Sequence, residues 1–180
     1  SKADEWVERI SKNLGAESER LKSGVGAYAA VYALSDTQWI ALSTDGIGTK
    51  LLWGEEGLGR PEDLAQDLLA MNANDVLCVG AEPKLFLDYL AVGSNKLLEE
   101  GAAVDRFLKG LIASCRSTAQ LLVGGETAQR PDLYNPHSFE AAGFSVSFLD
   151  PADFLSVDKI NPGDVVWGWS SSGPHSNGYT

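Results

Sequence analysis

The sequence contains 180 residues, of which 14 are basic and 25 acidic, so its formal net charge at pH 7 is −11. This charge argues against a nucleic-acid-binding protein and against a surface for anionic membranes, because both need clustered Lys and Arg. The N-terminal segment lacks the apolar core of a signal peptide, and the sequence has no long apolar run, so we predict a cytoplasmic protein. Two cysteines are too few for a disulfide framework.

The spacing of apolar residues predicts helices that alternate with short strands. Helices are expected at 3–14, after Pro61 and at 104–119. The expected strands lie at 39–42, 85–92, 121–123, 144–148 and 165–170. Several connections resemble hairpins or long loops, so we predict an α+β fold, a mixed β-sheet with helices packed on one face, rather than a doubly wound parallel sheet. Two proline turns between 150 and 163 predict a linker.

The segment STDGIGTK, from Ser43 to Lys50, combines two glycines with hydroxyl groups and one cation. Gly46 and Gly48 allow a tight turn that directs N–H groups at an anion. Asp45 would repel a bare phosphate, so it fits such a site only with a divalent cation between them, and Mg²⁺ prefers one or two carboxylates together with phosphate oxygens. The Walker A spacing is absent. The alternative interpretation is an ordinary turn between strands.

Two polar residues continue the apolar stripes of the helix that follows Pro61. One stripe leads to Asn72 and the adjoining one to Asp75, which places both on the buried face near the helix end. A buried carboxylate needs a cation or hydrogen-bond donors, and a metal would meet that need. The alternative is a helix that ends near Asn72, with Asp75 in a surface turn.

The segment GGETA, at 124–128, follows a predicted strand and places a carboxylate and a hydroxyl after two glycines. Glu126 could then bind a second metal or a ribose. The alternative is a plain Gly-Gly turn.

The segment SSSGPHSNG, at 170–178, is rich in hydroxyl groups. His175 could act there as an acid, a base or a substrate contact. The alternative is a loop before a helix, with Ser176 or Asn177 as the helix cap.

Other polar and aromatic residues are expected to have structural roles. Cys78, Cys115 and the tryptophans are expected in the core or, for the tryptophans, at an interface. His137 is expected in a solvated loop, and Asp88 shares a strand face with two apolar residues, so it is expected to be buried and paired.

Together these motifs resemble the phosphoribosylformylglycinamidine cyclo-ligase family, also called aminoimidazole ribonucleotide synthetase. The matching segments occur in the family's order and spacing: STDGIGTKL, DLLAMNANDVLCVGAEPKLFLDYLAVG, VGGETAQRPDLY, AAGFSV and GDVVWGWSSSGPHSNGY. Each segment alone is a weak signal, and five in register are a strong one.

The resemblance implies ATP-dependent closure of the imidazole ring of formylglycinamidine ribonucleotide in purine biosynthesis, giving aminoimidazole ribonucleotide, ADP and phosphate. It implies Mg²⁺ and, in many members, a monovalent cation such as K⁺. It further implies an ATP-binding and dimerisation domain over 1–152, whose sheet forms a barrel with that of the partner in a homodimer. The segment 153–180 would be a linker and the truncated start of a second α+β domain, since family members are about twice this length.

The resemblance also assigns residues, and Lys50, Asp75 and His175 are the expected catalytic ones. Asp45 and Asp75 match the metal and phosphate carboxylates. The phosphate loop matches at Gly46, Gly48, Thr49 and Lys50. The nucleotide-side loop matches at Glu126 and Thr127. A segment of the second domain matches at His175, Ser176 and Asn177.

The sequence departs from the family pattern at Gln129, which replaces a carboxylate, at Asp132, which replaces a glycine, and at 23–30, which has fewer glycines. The leading GVD signature is also missing. The first alternative is another ATP-using enzyme of the superfamily: selenophosphate synthetase, thiamine-monophosphate kinase or formylglycinamidine ribonucleotide synthetase. The second is an inactive nucleotide-binding dimerisation module.

Overall fold

The computed structural model of the protein describes residues 1–14, 19–23, 25–55, 57–173 and 175–176. Five strands in these ranges form one sheet: β1 (Ala30–Ala33), β2 (Trp39–Gly46), β3 (Glu82–Val92), β4 (Leu121–Gln129) and β5 (Phe139–Leu149). The strand order is β1-β2-β5-β3-β4, with β3 and β4 parallel and the other neighbours antiparallel. The predicted mixed sheet is therefore confirmed.

Four helices lie in the same ranges: α1 (Lys2–Asn13), α2 (Leu51–Glu55), α3 (Pro61–Cys78) and α4 (Ala103–Ser117). Helix α3 begins with a proline, whose missing N–H costs nothing in a first turn, and Glu62 and Asp63 follow it there. Helix α4 connects β3 to β4, because parallel strands need a crossover rather than a tight turn. Gly110 lets α4 approach α3, since a Cβ there would lie 2.5 Å from Cα of Glu62.

Helices α3 and α4 cover one face of the sheet, in agreement with the prediction. Phe107 on α4 contacts Phe139 on β5 edge-on, with ring centroids 5.5 Å apart, in a core that also contains Leu68 of α3. Along β5, residues that face the helices are buried, whereas Phe144 and Phe148 on the opposite face are exposed. The alternation of strand side chains thus leaves an apolar sheet face open in the single chain.

Two expectations about local structure are wrong. The segment 124–128 is neither a turn nor the end of a strand, because β4 continues through it to Gln129 and pairs with β3 in register. The segment 165–170 forms no strand, and its side chains are exposed, including those of Trp167 and Trp169. Valine and tryptophan favour a strand but do not make one by themselves, because a strand also needs a neighbour for its backbone hydrogen bonds.

The core assignments of two residue types also need correction. Cys115 is buried as predicted, whereas Cys78, the last residue of α3, is exposed. None of the five tryptophans is buried, although Trp39 is partly covered by Phe154. An interface role for the exposed tryptophans remains a prediction.

Candidate functional site

The loop that follows β2 forms the exposed rim of the site. Asp45 and Gly46 are the last residues of β2, and the N–H of Gly46 donates to Oδ1 of Asp45 at 2.9 Å. Gly48 then adopts φ +69°, a left-handed conformation that glycine tolerates without strain. Gly48 and Thr49 are exposed in a short 3₁₀ turn, so their backbone lies at the surface beside Asp45.

Asp75 lies on α3 opposite the end of β2. The hydroxyl of Ser43 donates to Oδ2 of Asp75 at 2.9 Å, which joins the helix to the strand. Burial raises the pKa of Asp75, the Ser43 hydrogen bond opposes that rise, and the negative charge of Asp45 adds to it. The structure therefore brings Asp45 and Asp75 together, and α3 does not end near Asn72.

Asn72 fixes the contact between α3 and the sheet. Its side chain is fully buried, and Nδ2 donates to the carbonyl oxygen of Leu68 at 3.0 Å and to that of Asp45 at 3.5 Å. Its Oδ1 has no hydrogen-bond partner. A Cβ at Gly143 would lie only 2.6 Å from Nδ2, so glycine at this position admits the amide. Sequence reasoning missed this role, although Gly143 lies in the quoted AAGFSV segment.

Lys50 is buried, with 1% of its surface exposed. Its ammonium group contacts Oδ2 of Asp67 on α3 at 3.2 Å and donates to the backbone carbonyl of Ser176. Sequence reasoning did not single out Asp67. The spacing along α3 could have identified it, because Asp67 lies four residues before Met71 and eight before Asp75, and positions four residues apart share a helix face.

The C-terminal candidates reach this site in part. Ser176 is 4% exposed and contacts Lys50 through its carbonyl group. His175 is exposed, and its Nε2 lies 3.2 Å from the hydroxyl of Ser171. Asn177 lies outside the described residues. The structure therefore joins the 43–50 segment to the 175–176 segment, although 126 positions separate Lys50 from Ser176.

Glu126 and Thr127 lie elsewhere. Both are exposed on β4, at the opposite edge of the sheet from β1. Three strand spacings separate β4 from β2, which is roughly 14 Å at about 4.8 Å per spacing. Glu126 pairs in register with Tyr89, which is exposed on the open face, whereas Asp45 and Asp75 lie on the side of the sheet that α3 covers. Within one chain the two groups of candidates are therefore separate.

Asp88 lies in the centre of the sheet, between Gly125 and Gly143 on the neighbouring strands. Burial raises its pKa. Burial and the nearby charge of Asp88 together raise the pKa of the Cys115 thiol to about 11. A Cβ at Gly125 would lie 2.4 Å from Oδ1 of Asp88, so this glycine makes room for the carboxyl group. Asp88 and Thr44 both line a depression of about 110 Å³ in the surface.

The donor set limits what the chain can bind. Among the residues that the structure describes, no group of three or more His, Cys, Asp or Glu side chains is arranged to hold a metal ion. A cation at Asp45 and Asp75 would therefore need further oxygens from a ligand or from water, which is how Mg²⁺ is usually bound beside phosphates.

Among the described helices, none has the length and apolar character needed to span a membrane.

Comparisons with known proteins agree with the fold. The family described as AIR synthase related protein, N-terminal domain, matches residues 26–143. Phosphoribosylformylglycinamidine cyclo-ligase of Lactobacillus helveticus is 37% identical over 179 residues, which cover 97% of this chain and 50% of the relative. The chain thus spans about half the length of the curated relatives it matches.

Two solved structures share the fold at low sequence identity. AaThiL complexed with AMPPCP and TMP has a TM-score of 0.64 at 21% identity, over 83% of this chain and 42% of that chain. T. maritima PurL complexed with ATP has a TM-score of 0.56 at 14% identity, over 74% of this chain and 22% of that chain.

Proposed function

The chain belongs to the family of AIR synthase-related N-terminal domains, and on this basis we propose that it supplies the ATP-binding part of a phosphoribosylformylglycinamidine cyclo-ligase. The reaction would transfer a phosphoryl group from ATP to the formyl amide oxygen of formylglycinamidine ribonucleotide. Attack by the ring-closing nitrogen would then expel phosphate and give aminoimidazole ribonucleotide. Such chemistry asks the protein mainly for positioning and charge neutralisation.

The observation that carries this proposal is that Ser43 on β2 binds Asp75, close enough for the charge of Asp45 to raise the pKa of that carboxyl group, next to the turn that exposes Gly48 and Thr49. Two nearby carboxylates repel each other, and a divalent cation between them would remove that cost. We propose that they hold Mg²⁺, which would neutralise the charge of the ATP phosphates. The backbone N–H group of Gly48 and the hydroxyl of Thr49 would then donate to phosphate oxygens.

The separation of Glu126 and Thr127 from the carboxylate pair favours a homodimer. The open sheet face carries exposed Tyr89, Phe144 and Phe148, an apolar surface that a second copy would cover. A barrel built from the two sheets would bury these rings and could bring Glu126 of one subunit toward the nucleotide of the other. The requirement for K⁺ remains a prediction of the resemblance.

Calorimetric titration with Mg·ATP tests the nucleotide site. Asp45→Asn and Asp75→Asn should each weaken binding at least about tenfold, because each removes an anionic ligand. Asp36→Asn is the matched control: it removes the same charge from an exposed residue beyond the other end of β2 and should leave affinity unchanged. Unchanged affinity in both site variants would remove the assignment.

A coupled assay on the longer enzyme identifies the substrate. ADP release that depends on formylglycinamidine ribonucleotide supports the cyclo-ligase. ADP release that depends instead on thiamine monophosphate would favour the kinase alternative, which the shared fold of AaThiL keeps relevant. Measurable turnover by the 180-residue chain itself would exclude the inactive module.

A further inference from the structure

The burial of Lys50 indicates a role inside the protein. Lysine rarely leaves water, because burying an unpaired ammonium group is strongly unfavourable. Here Asp67 supplies the opposite charge, and the carbonyl of Ser176 accepts a hydrogen bond. An ammonium group carries three N–H donors, so it can bind a carboxylate and a carbonyl at the same time.

The C-terminal segment gives this contact its significance. All described residues from Val157 to His175 are exposed, and the chain becomes buried again only at Ser176. That residue is the one whose carbonyl group Lys50 binds. Because the acceptor is a backbone carbonyl, a change of the serine side chain leaves it in place.

We propose that Lys50 and Asp67 form a latch that seats the 175–176 segment beside the Gly46–Thr49 turn. Lys50 is then a positioning residue that orients the backbone next to His175, and Asp67 is the counter-ion that fixes its ammonium group. The latch deepens the proposed function, since it would bring His175 to the nucleotide site, but the seating itself needs no ligand.

The test measures thiol accessibility in the ligand-free chain. Ser176→Cys, in a Cys78→Ser background, places a thiol at the buried position and leaves the backbone carbonyl unchanged. With Lys50 present, the introduced thiol should react slowly with a maleimide. Lys50→Met retains the length of the side chain and removes its charge, and it should raise the labelling rate at least about tenfold, the effect of losing one charge-assisted hydrogen bond.

Two further variants separate the latch from general destabilisation. Lys50→Arg retains the charge and should keep the rate within about threefold of the original, by the same arithmetic. Lys109→Met is the matched control, because it breaks another Lys–Asp pair, the one with Asp105 at 2.7 Å, on a different helix, α4. This variant should leave the labelling rate of the introduced thiol unchanged.

Equal labelling rates with Lys50 and with Lys50→Met, both folded by circular dichroism, would overturn the latch. So would a Lys50→Arg rate as high as that of Lys50→Met. If Lys50→Met does not fold, Asp67→Asn decides: faster labelling supports the latch and an unchanged rate overturns it. Since no nucleotide is present, failure here is distinct from failure of the Mg·ATP titration.

Discussion

Replacing Gly143 by alanine should destabilise the protein, although it adds only one methyl group. Gly143 lies in the middle of β5, opposite Asp45 on β2 and Asp88 on β3. An added Cβ would lie 2.4 Å from Cζ of Phe86 and 2.6 Å from Nδ2 of Asn72. Optimal contact between such atoms needs about 3.5–4.0 Å, so both neighbours would have to move by roughly an ångström.

The structure sets the size of this effect. Phe86 and Asn72 are both fully buried, so neither can swing into solvent. Overpacking a core costs about 1–3 kcal/mol, and a clash with two confined groups favours the upper part of that range, about 2–3 kcal/mol. For a chain of this size, that loss lowers Tm by roughly 4–12 °C. Displacing Asn72 should also disturb the backbone at Asp45, which its amide contacts.

Urea denaturation followed by far-UV circular dichroism measures the free energy of unfolding. Gly124→Ala is the matched control, because it makes the same change in β4, where the new Cβ would meet no atom within 4 Å. The control should be neutral or stabilise the fold by up to about 1 kcal/mol. A Gly143→Ala variant within about 0.5 kcal/mol of the original, the range of an ordinary surface change, would refute the packing of α3 against β5.

Three further predictions follow from burial and charge. Because the folded state raises the pKa of Asp75, the stability contributed by this group is present at low pH and is lost as pH rises through the raised pKa. Asp75→Asn should therefore make the decline in the free energy of unfolding above about pH 4 shallower. An unchanged slope would contradict the direction of the pKa shift. At pH 8 a thiol reagent should label the exposed Cys78 quickly and the buried Cys115 slowly, because burial raises the pKa of the Cys115 thiol to about 11. Rapid labelling that persists in the Cys78→Ser variant would show that Cys115 is accessible. Phe144→Asp on the open sheet face should shift sedimentation toward the monomer, whereas Leu58→Asp in an exposed loop should not; equal dimer content in both would count against the sheet face as the interface.

Local signals in the sequence were sufficient for most helices and strands. The start of α3 was predictable from Pro61 and the acidic residues after it, because these act within one helical turn. The α+β class with a mixed sheet followed from the alternation of predicted strands and helices and from connections that resemble hairpins. The motif order also indicated the family, since five short segments in register leave few alternatives.

Local signals failed where the outcome depended on a distant partner. The GGETA segment remains in β4 because β3 lies alongside and pairs with it, and the 165–170 segment forms no strand although valine and tryptophan favour one. Neither outcome is contained in the segment itself, because a strand is stabilised by hydrogen bonds to its neighbour.

The residue types that phosphate chemistry needs are present in short motifs of the sequence: two carboxylates, two glycines, hydroxyl groups and a lysine. Which of them lie close together depends on the fold. The fold binds Asp75 of α3 to Ser43 of β2, near Asp45, places Glu126 three strands away, and turns Lys50 inward to Asp67 and Ser176. A charge must be solvated or paired, and the partner of a buried charge is set by packing and not by proximity along the chain.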